Sequence, residues 1–196
     1  MAKTSSKVGF VSLLVAGSVA LSGCSVPLPD LAISDIQSGV ESLQNLADGA
    51  TQFSEADLMY AQMMIPHHEQ AVSMAELAPT RTSNVEVLAI AKKIKGAQAP
   101  EIAVMAAWLG GKATELHSGH SMEMKGMLTG AQFDELKGAV DAKFDSLFIK
   151  YMIAHHEGAI EMTQDILKSE NVIVRKFAEK VVKDQTREIA ELKKIQ

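Results

Sequence analysis

The chain repeats itself, and that repeat decides most of what it can fold into. Asp57 to Ala78 aligns without gaps on Asp145 to Ile166, with identity at 8 of 22 positions. The shared residues are Asp57/Asp145, Met64/Met152, Ile65/Ile153, His67/His155, His68/His156, Glu69/Glu157, Ala71/Ala159 and Met74/Met162. A second block follows each copy. Ala91 to Met105 matches Ala178 to Leu192, with Lys93/Lys180, Gln98/Gln185 and Glu101/Glu188 among the identities. Each half therefore reads as a helix, a short turn and a second helix. One such hairpin cannot bury its apolar face alone, so two of them are expected to pack as an all-α four-helix bundle.

Composition and local signals agree. Only 5% of the residues are aromatic and Pro is rare, so strands and their turns lack the residues they draw on, whereas helix formers abound. Ser54 with Asp57 in the first turn opens the first helix, which Pro79 and the run from Thr80 to Asn84 should end. The second helix runs from about Val85 to Leu109 and stops at Gly110-Gly111. Thr129 and Gln132 form a capping box at the next start, and Gly138 divides a short helix from a long one reaching Leu167. The last helix spans about Val172 to Lys194. Pro66 and Pro100 should bend the helices that hold them.

The N-terminus is an address. Lys3 and Lys7 precede an apolar run from Gly9 to Leu21, and Leu21-Ser22-Gly23-Cys24 resembles a bacterial lipobox. That resemblance implies a lipoprotein signal peptide at 1–23, cleavage before Cys24, and lipid on Cys24. The protein would then be extracytoplasmic and anchored to the cell envelope, with the membrane as a partner. Residues 24–52 read as a tether, and 53–196 as the bundle domain. Its repeats cover about 53–109 and 141–196, joined by a Met/His-rich linker at 110–128. Without residues 1–23 the chain has 17 Lys+Arg against 24 Asp+Glu, a balance that disfavours nucleic acid. Cys24 is the single cysteine. Once lipidated it offers no thiolate, so any soft-metal chemistry must use Met and His.

The His-His-Glu repeat supplies those residues. Adjacent positions on a helix point about 100° apart, so each pair sits astride the edge between two apolar stripes. Met64, Met74 and Met63 flank His67 and His68, and Met152 and Met162 flank His155 and His156. Imidazole beside thioether suits Cu(I) or Ag(I), whereas thioethers bind Zn(II), Mg(II) or Ca(II) poorly. Met at helical spacing is more often core filler, but packing does not require imidazole twice at equivalent positions of two copies. Asp57, Asp145, Glu69 and Glu157 are candidate outer partners that would orient the ligands. A looser second cluster lies in the linker, where His117, His120, Met122, Met124 and Met127 fall within eleven residues. The ligands must be neutral, so acid should weaken the His contribution. If the hairpins pack about a pseudo-twofold axis, His67/His68 approach His155/His156.

Other chemistries fit less well. A di-iron oxidase on a bundle needs Glu-x-x-His twice, and no Glu here has His three residues on. A zinc protease needs His-Glu-x-x-His, but Val72 and Ile160 occupy the closing position. No organic cofactor and no enzyme activity are expected. An envelope module whose histidines sense pH would leave the paired Met without a purpose.

The doubled motif (Asp57, Tyr60, Met64, His67-His68, Ala71 and Met74, then Asp145, Phe148, Met152, His155-His156, Ala159 and Met162) resembles the bacterial family called Domain of Unknown Function three hundred and five. So do the Gln-x-x-Glu-Ile blocks at Gln98 to Ile102 and Gln185 to Ile189. The resemblance covers about residues 53 to 196. It implies a ferritin-like helical fold and kinship with CopM-type proteins, which bind copper and silver outside the cytoplasm and support metal resistance. Copper-handling proteins are the partners it implies, and sequestration, tolerance or delivery the roles.

Overall fold

A computed structural model describes residues 52–110 and 124–195. The expected signal peptide, Cys24 and most of the tether lie outside the described residues, as do His117, His120 and Met122 of the linker. Within them the fold is all-α: α1 (Glu55–Arg81), α2 (Val85–Leu109), α3 (Gly130–Gly138), α4 (Asp141–Thr163) and α5 (Val172–Ile195), with a 3₁₀ turn at Ile166–Lys168 before α5. No strand occurs among the described residues, and no helix there is long and apolar enough to cross a membrane.

Side chains set the helix ends. Ser54 and Asp57 cap α1 reciprocally, each side chain accepting the other's backbone N–H. Asn84 and Asn171, at matching positions of the two repeats, cap α2 and α5 through their side-chain oxygens. Thr129 and Gln132 do form a capping box on α3. Gly110 ends α2 at φ 54°, a left-handed conformation cheap only for glycine. Two expected boundaries move. α1 continues through Pro79 to Arg81, because a proline in the last turn removes one donor while Thr82 N–H still reaches the Ala78 carbonyl. α4 stops at Thr163 rather than Leu167, where the Thr163 hydroxyl and the Gln164 amide turn back onto the Ala159 and Ile160 carbonyls. Pro66 and Pro100 are accommodated inside α1 and α2.

α1 packs on α2 and α4 on α5 within the hairpins, and the hairpins meet through α1 against α4 and α2 against α5. The repeated aspartates tie the halves together. Asp57 accepts from Ser169 at 2.8 Å, and Asp145 from Asn84 at 3.0 Å. The apolar core falls into two clusters. One contains Met74, Ile90, Ile94, Phe144, Phe148 and Met152; the other contains Tyr60, Met64, Met105, Trp108 and Val174, with Met162 against it. Along each long helix the step from one cluster to the other is interrupted by buried polar residues: His67-His68, Gln98 with Glu101, His155-His156, and Gln185 with Glu188. The bundle thus carries a polar layer across its middle.

Candidate functional site

The polar layer is built from mid-helix positions, so its side chains are held by packed backbone rather than by loops. All four histidines are fully buried. His67 and His155 meet across the α1–α4 contact, their ring centroids 3.8 Å apart and planes at 44°. His68 and His156 turn instead towards the second helix of their own hairpins. His68 Nε2 lies 3.0 Å from Glu101 Oε2 on α2, and His156 Nε2 lies 2.9 Å from Glu188 Oε2 on α5.

The hydrogen bonds fix tautomers. His67 Nε2 lies 3.0 Å from the Lys125 carbonyl. A carbonyl only accepts, so Nε2 holds the proton. Burial pushes His67 down to about 4, against a smaller upward pull from that carbonyl; the ring is neutral near pH 7 and Nδ1 bears the lone pair. Burial also drives His155 well below its ordinary range, reinforced by the neighbouring histidines. Neither nitrogen of His155 has a hydrogen-bond partner among the described residues; the His67 backbone exerts a weak pull on the ring without hydrogen-bond geometry. The Nδ1 atoms of His67, His68 and His156 are likewise buried and unpartnered.

The carboxylates differ between the copies. Burial raises the Glu101 carboxyl, but the bonds from His68 and Lys180 outweigh it and hold the group below its ordinary value. Its second oxygen takes Lys180 Nζ at 2.6 Å. The counterpart oxygen, Glu188 Oε1, is buried without a partner among the described residues, because Lys93 bonds Glu191 instead, at 2.6 and 2.7 Å. The side-chain amides of Gln98 and Gln185 are buried too, with no hydrogen-bond partner among the described residues.

The methionines bracket this layer with crossed symmetry. Met64 of the first copy shares a cluster with Met162 of the second, and Met152 shares the other with Met74. Met63 is half-buried. Met124 and Met127, also half-buried, form a turn closed by Met127 N–H on the Met124 carbonyl. The expected outer partners lie elsewhere. Asp57 and Asp145 brace the hairpins, Glu69 is exposed, and Glu157 is exposed beside Lys193. The carboxylates that do hold histidines, Glu101 and Glu188, are 33 and 32 residues away from them in sequence. Their signal was the second repeat block, which places identical Gln and Glu on otherwise apolar helix faces.

Among the described residues no three His, Cys, Asp or Glu side chains converge tightly enough to hold an ion. A closed zinc tetrahedron or an oxygen cage for Ca(II) or Mg(II) needs such a group, and the described residues do not provide one. What the layer offers is imidazole nitrogen, held neutral at His67 and His155, with methionines in the apolar clusters on either side; these are donor types suited to soft monovalent ions.

A duplicated-hairpin helical bundle with paired histidines at mid-height is the class these features define. The chain belongs to the family Domain of unknown function (DUF305), which matches residues 57–196. Among solved structures it resembles a DUF305 fragment from Deinococcus radiodurans at 27% identity and TM-score 0.66, covering 72% of this chain and 95% of that one. A DUF305 protein from Streptomyces coelicolor is 29% identical with TM-score 0.63, over 70% and 89%. CopM in its Cu(I)-bound form is 28% identical with TM-score 0.58, over 73% and 95%; CopM is also solved in Cu(II)- and Ag-bound forms. Among proteins of curated function, none matches the chain.

Proposed function

We propose that this protein is an extracytoplasmic, lipid-anchored binder of soft metal ions, taking Cu(I) or Ag(I) as cargo for sequestration, tolerance or delivery, and carrying out no catalysis. One observation carries the reading. Three buried histidines engage a carbonyl or carboxylate through Nε2 and have no partner for Nδ1 among the described residues, the arrangement in which a metal-ligating histidine is held by its other nitrogen. The likeness to CopM, solved with copper and with silver, supports the choice of ions. Envelope location rests on the leader and Cys24, with secretion suggested by the name of the Streptomyces coelicolor protein. Met63, Met64, Met74, Met152 and Met162 are the thioethers closest in sequence to the rings, and the linker cluster from His117 to Met127 serves as a looser collecting site. Copper-handling proteins of the envelope are the proposed exchange partners.

The test is a competition titration against a Cu(I) chelator. His67→Ala with His155→Ala should lower affinity while helicity persists. Met64→Leu with Met152→Leu, which nearly conserves core volume, should do the same if thioether sulfur ligates. Unchanged affinity in both would remove the bundle site and leave the linker as the binder.

A further inference from the structure

The two central histidines are equivalent in the repeat but not in their surroundings, and the difference comes from one short segment. Lys125 to Leu128 crosses α4 at close range. A Cβ at Gly158 would sit 2.0 Å from the Lys125 oxygen and 2.8 Å from the Gly126 nitrogen. Gly126 has φ +80°, and a Cβ there would lie 2.4 Å from the Ala154 oxygen and 3.0 Å from the Cα of His155. All of these are backbone atoms, which cannot swing away. Both glycines are therefore required for the segment to lie where it does, and that placement aims the Lys125 carbonyl at His67.

The repeat partner of Gly158 is Gln70, and it does the opposite job. Its amide grips the same segment from the α1 side, donating to the Leu128 carbonyl at 3.0 Å and accepting the Leu128 N–H at 2.7 Å. Leu128 is buried in the core, and Lys125 Nζ pairs with Glu161 on α4. One copy thus clamps the segment with a side chain while the other makes room by having none. The result breaks the pseudo-twofold symmetry at its centre. His67 has its Nε2–H tied down, and His155 has both nitrogens free of partners among the described residues.

Building on the soft-metal reading, we propose that Lys125–Leu128 is a positioning strap that makes His67 the fixed ligand, presenting Nδ1, and leaves His155 as the ligand that reorients to take up and release a soft monovalent ion. A fixed donor holds the ion's place, while a ring with no competing hydrogen bond can turn without breaking one. The strap also seats Met124 and Met127 one and two residues from the carbonyl that holds His67, so the Met-bearing end of the linker is fastened at the site.

The experiment reads tautomers and affinity separately in the full mature chain. Long-range proton–nitrogen NMR of the metal-free, ¹⁵N-labelled protein near neutral pH should show His67 as a single Nε2–H tautomer and His155 as an exchanging mixture. Ag(I), diamagnetic and without redox chemistry in these conditions, is the probe; its addition should perturb Nδ1 of His67. Gly158→Ala should displace the strap, release the tautomer preference of His67 and weaken Ag(I) binding by about 10- to 100-fold, as loss of a ligand's outer hydrogen bond typically does. Gln70→Ala, which adds no atoms, should move both readouts the same way to a smaller degree and covers the case in which Gly158→Ala does not fold. The proposal is overturned if His67 and His155 show the same tautomer pattern, or if a folded Gln70→Ala or Gly158→Ala variant keeps both the His67 tautomer and the Ag(I) affinity of the parent. A wild-type protein that binds no Ag(I) would sink the soft-metal reading, and with it the ligand roles, whereas the tautomer pattern would still report on the strap.

Discussion

Acid should destabilise the metal-free bundle in a window set by its central histidines. His67 protonates near 6.5 when unfolded and near 4 when folded. Between those values the unfolded chain holds the proton and the folded chain does not, so stability is full above about pH 6.5 and falls as pH drops towards about 4. One pKa unit is worth about 1.4 kcal/mol, so His67 alone removes about 2 kcal/mol between about pH 6.5 and 5, and about 3 by pH 4. His155 is shifted in the same direction and adds to the loss. Against a usual total of about 5–15 kcal/mol, this is a large fraction. Glu101 acts in a lower window. Its folded pKa lies below 4.5, so its contribution is intact above that value and lost only as pH falls through the folded one. Urea unfolding followed by circular dichroism at about pH 7, 6 and 5 separates the two. The wild-type protein should lose at least about 2 kcal/mol over that range, and His67→Leu should lose less by about the His67 share. Equal wild-type stability at pH 7 and 5 would refute the reasoning, because it would mean that the buried rings take up protons in place.

The same depression shifts the pH profile of metal binding: proton competition for His67 should set in only near pH 4 rather than near 6.5, so Ag(I) affinity measured by competition should stay nearly flat from about pH 7 to 5. Glu101→Leu strips His68 of its partner, takes one of two carboxylates from Lys180, and leaves the His68 Nε2–H buried, which should cost about 1–3 kcal/mol in chemical denaturation. Cys24→Ala should abolish stable membrane association, read by fractionation and mass spectrometry of the N-terminus, because the acyl chains supply the hold; a wild-type protein free of lipid would rule the anchor out.

The architecture was legible because a repeat is evidence contained within one chain. His67 and His155 at equivalent positions, with Ser54, Thr129 and Gly110 at the ends, were enough to place four long helices and bring the histidines together. The boundaries that moved did so for reasons local pattern does not carry: Pro79 costs a final turn only one donor, and Thr163 satisfies its own helix end. The partners of the histidines were harder to read. Glu69 and Glu157 adjoin the pairs in sequence, but one step along a helix is about 100° of rotation, and that step points them at solvent. Glu101 and Glu188 come from the other helix of each hairpin, a tertiary relation. The strap was hidden more deeply, since it depends on a glycine at position 158 where the first copy has glutamine, and only the apposed backbones show why no side chain fits.

A pH-sensing module needs histidines that titrate in mildly acidic conditions, and His67 and His155 are held below that range. Structural need divides the four rings further. A polar layer in a bundle core works against stability and is tolerated where it sets register. Here each apolar cluster draws on both hairpins, so sliding one hairpin by a turn would press imidazole against Met and Ile. The outer pairs meet that need by themselves: His68 with Glu101 and His156 with Glu188 are hydrogen-bonded within their hairpins. The inner pair does not contribute to it in the same way. His67 and His155 make ring contact with each other and have no carboxylate partner among the described residues; their Nδ1 atoms, like those of His68 and His156, are buried with no hydrogen-bond partner there. An apolar pair of similar volume would hold the helices together without burying those lone pairs. The carboxylate bonds give His68 and His156 a structural task beside the ligand role proposed for them, whereas no carboxylate gives His67 or His155 such a task among the described residues, and the proposed soft-metal role accounts for that inner pair.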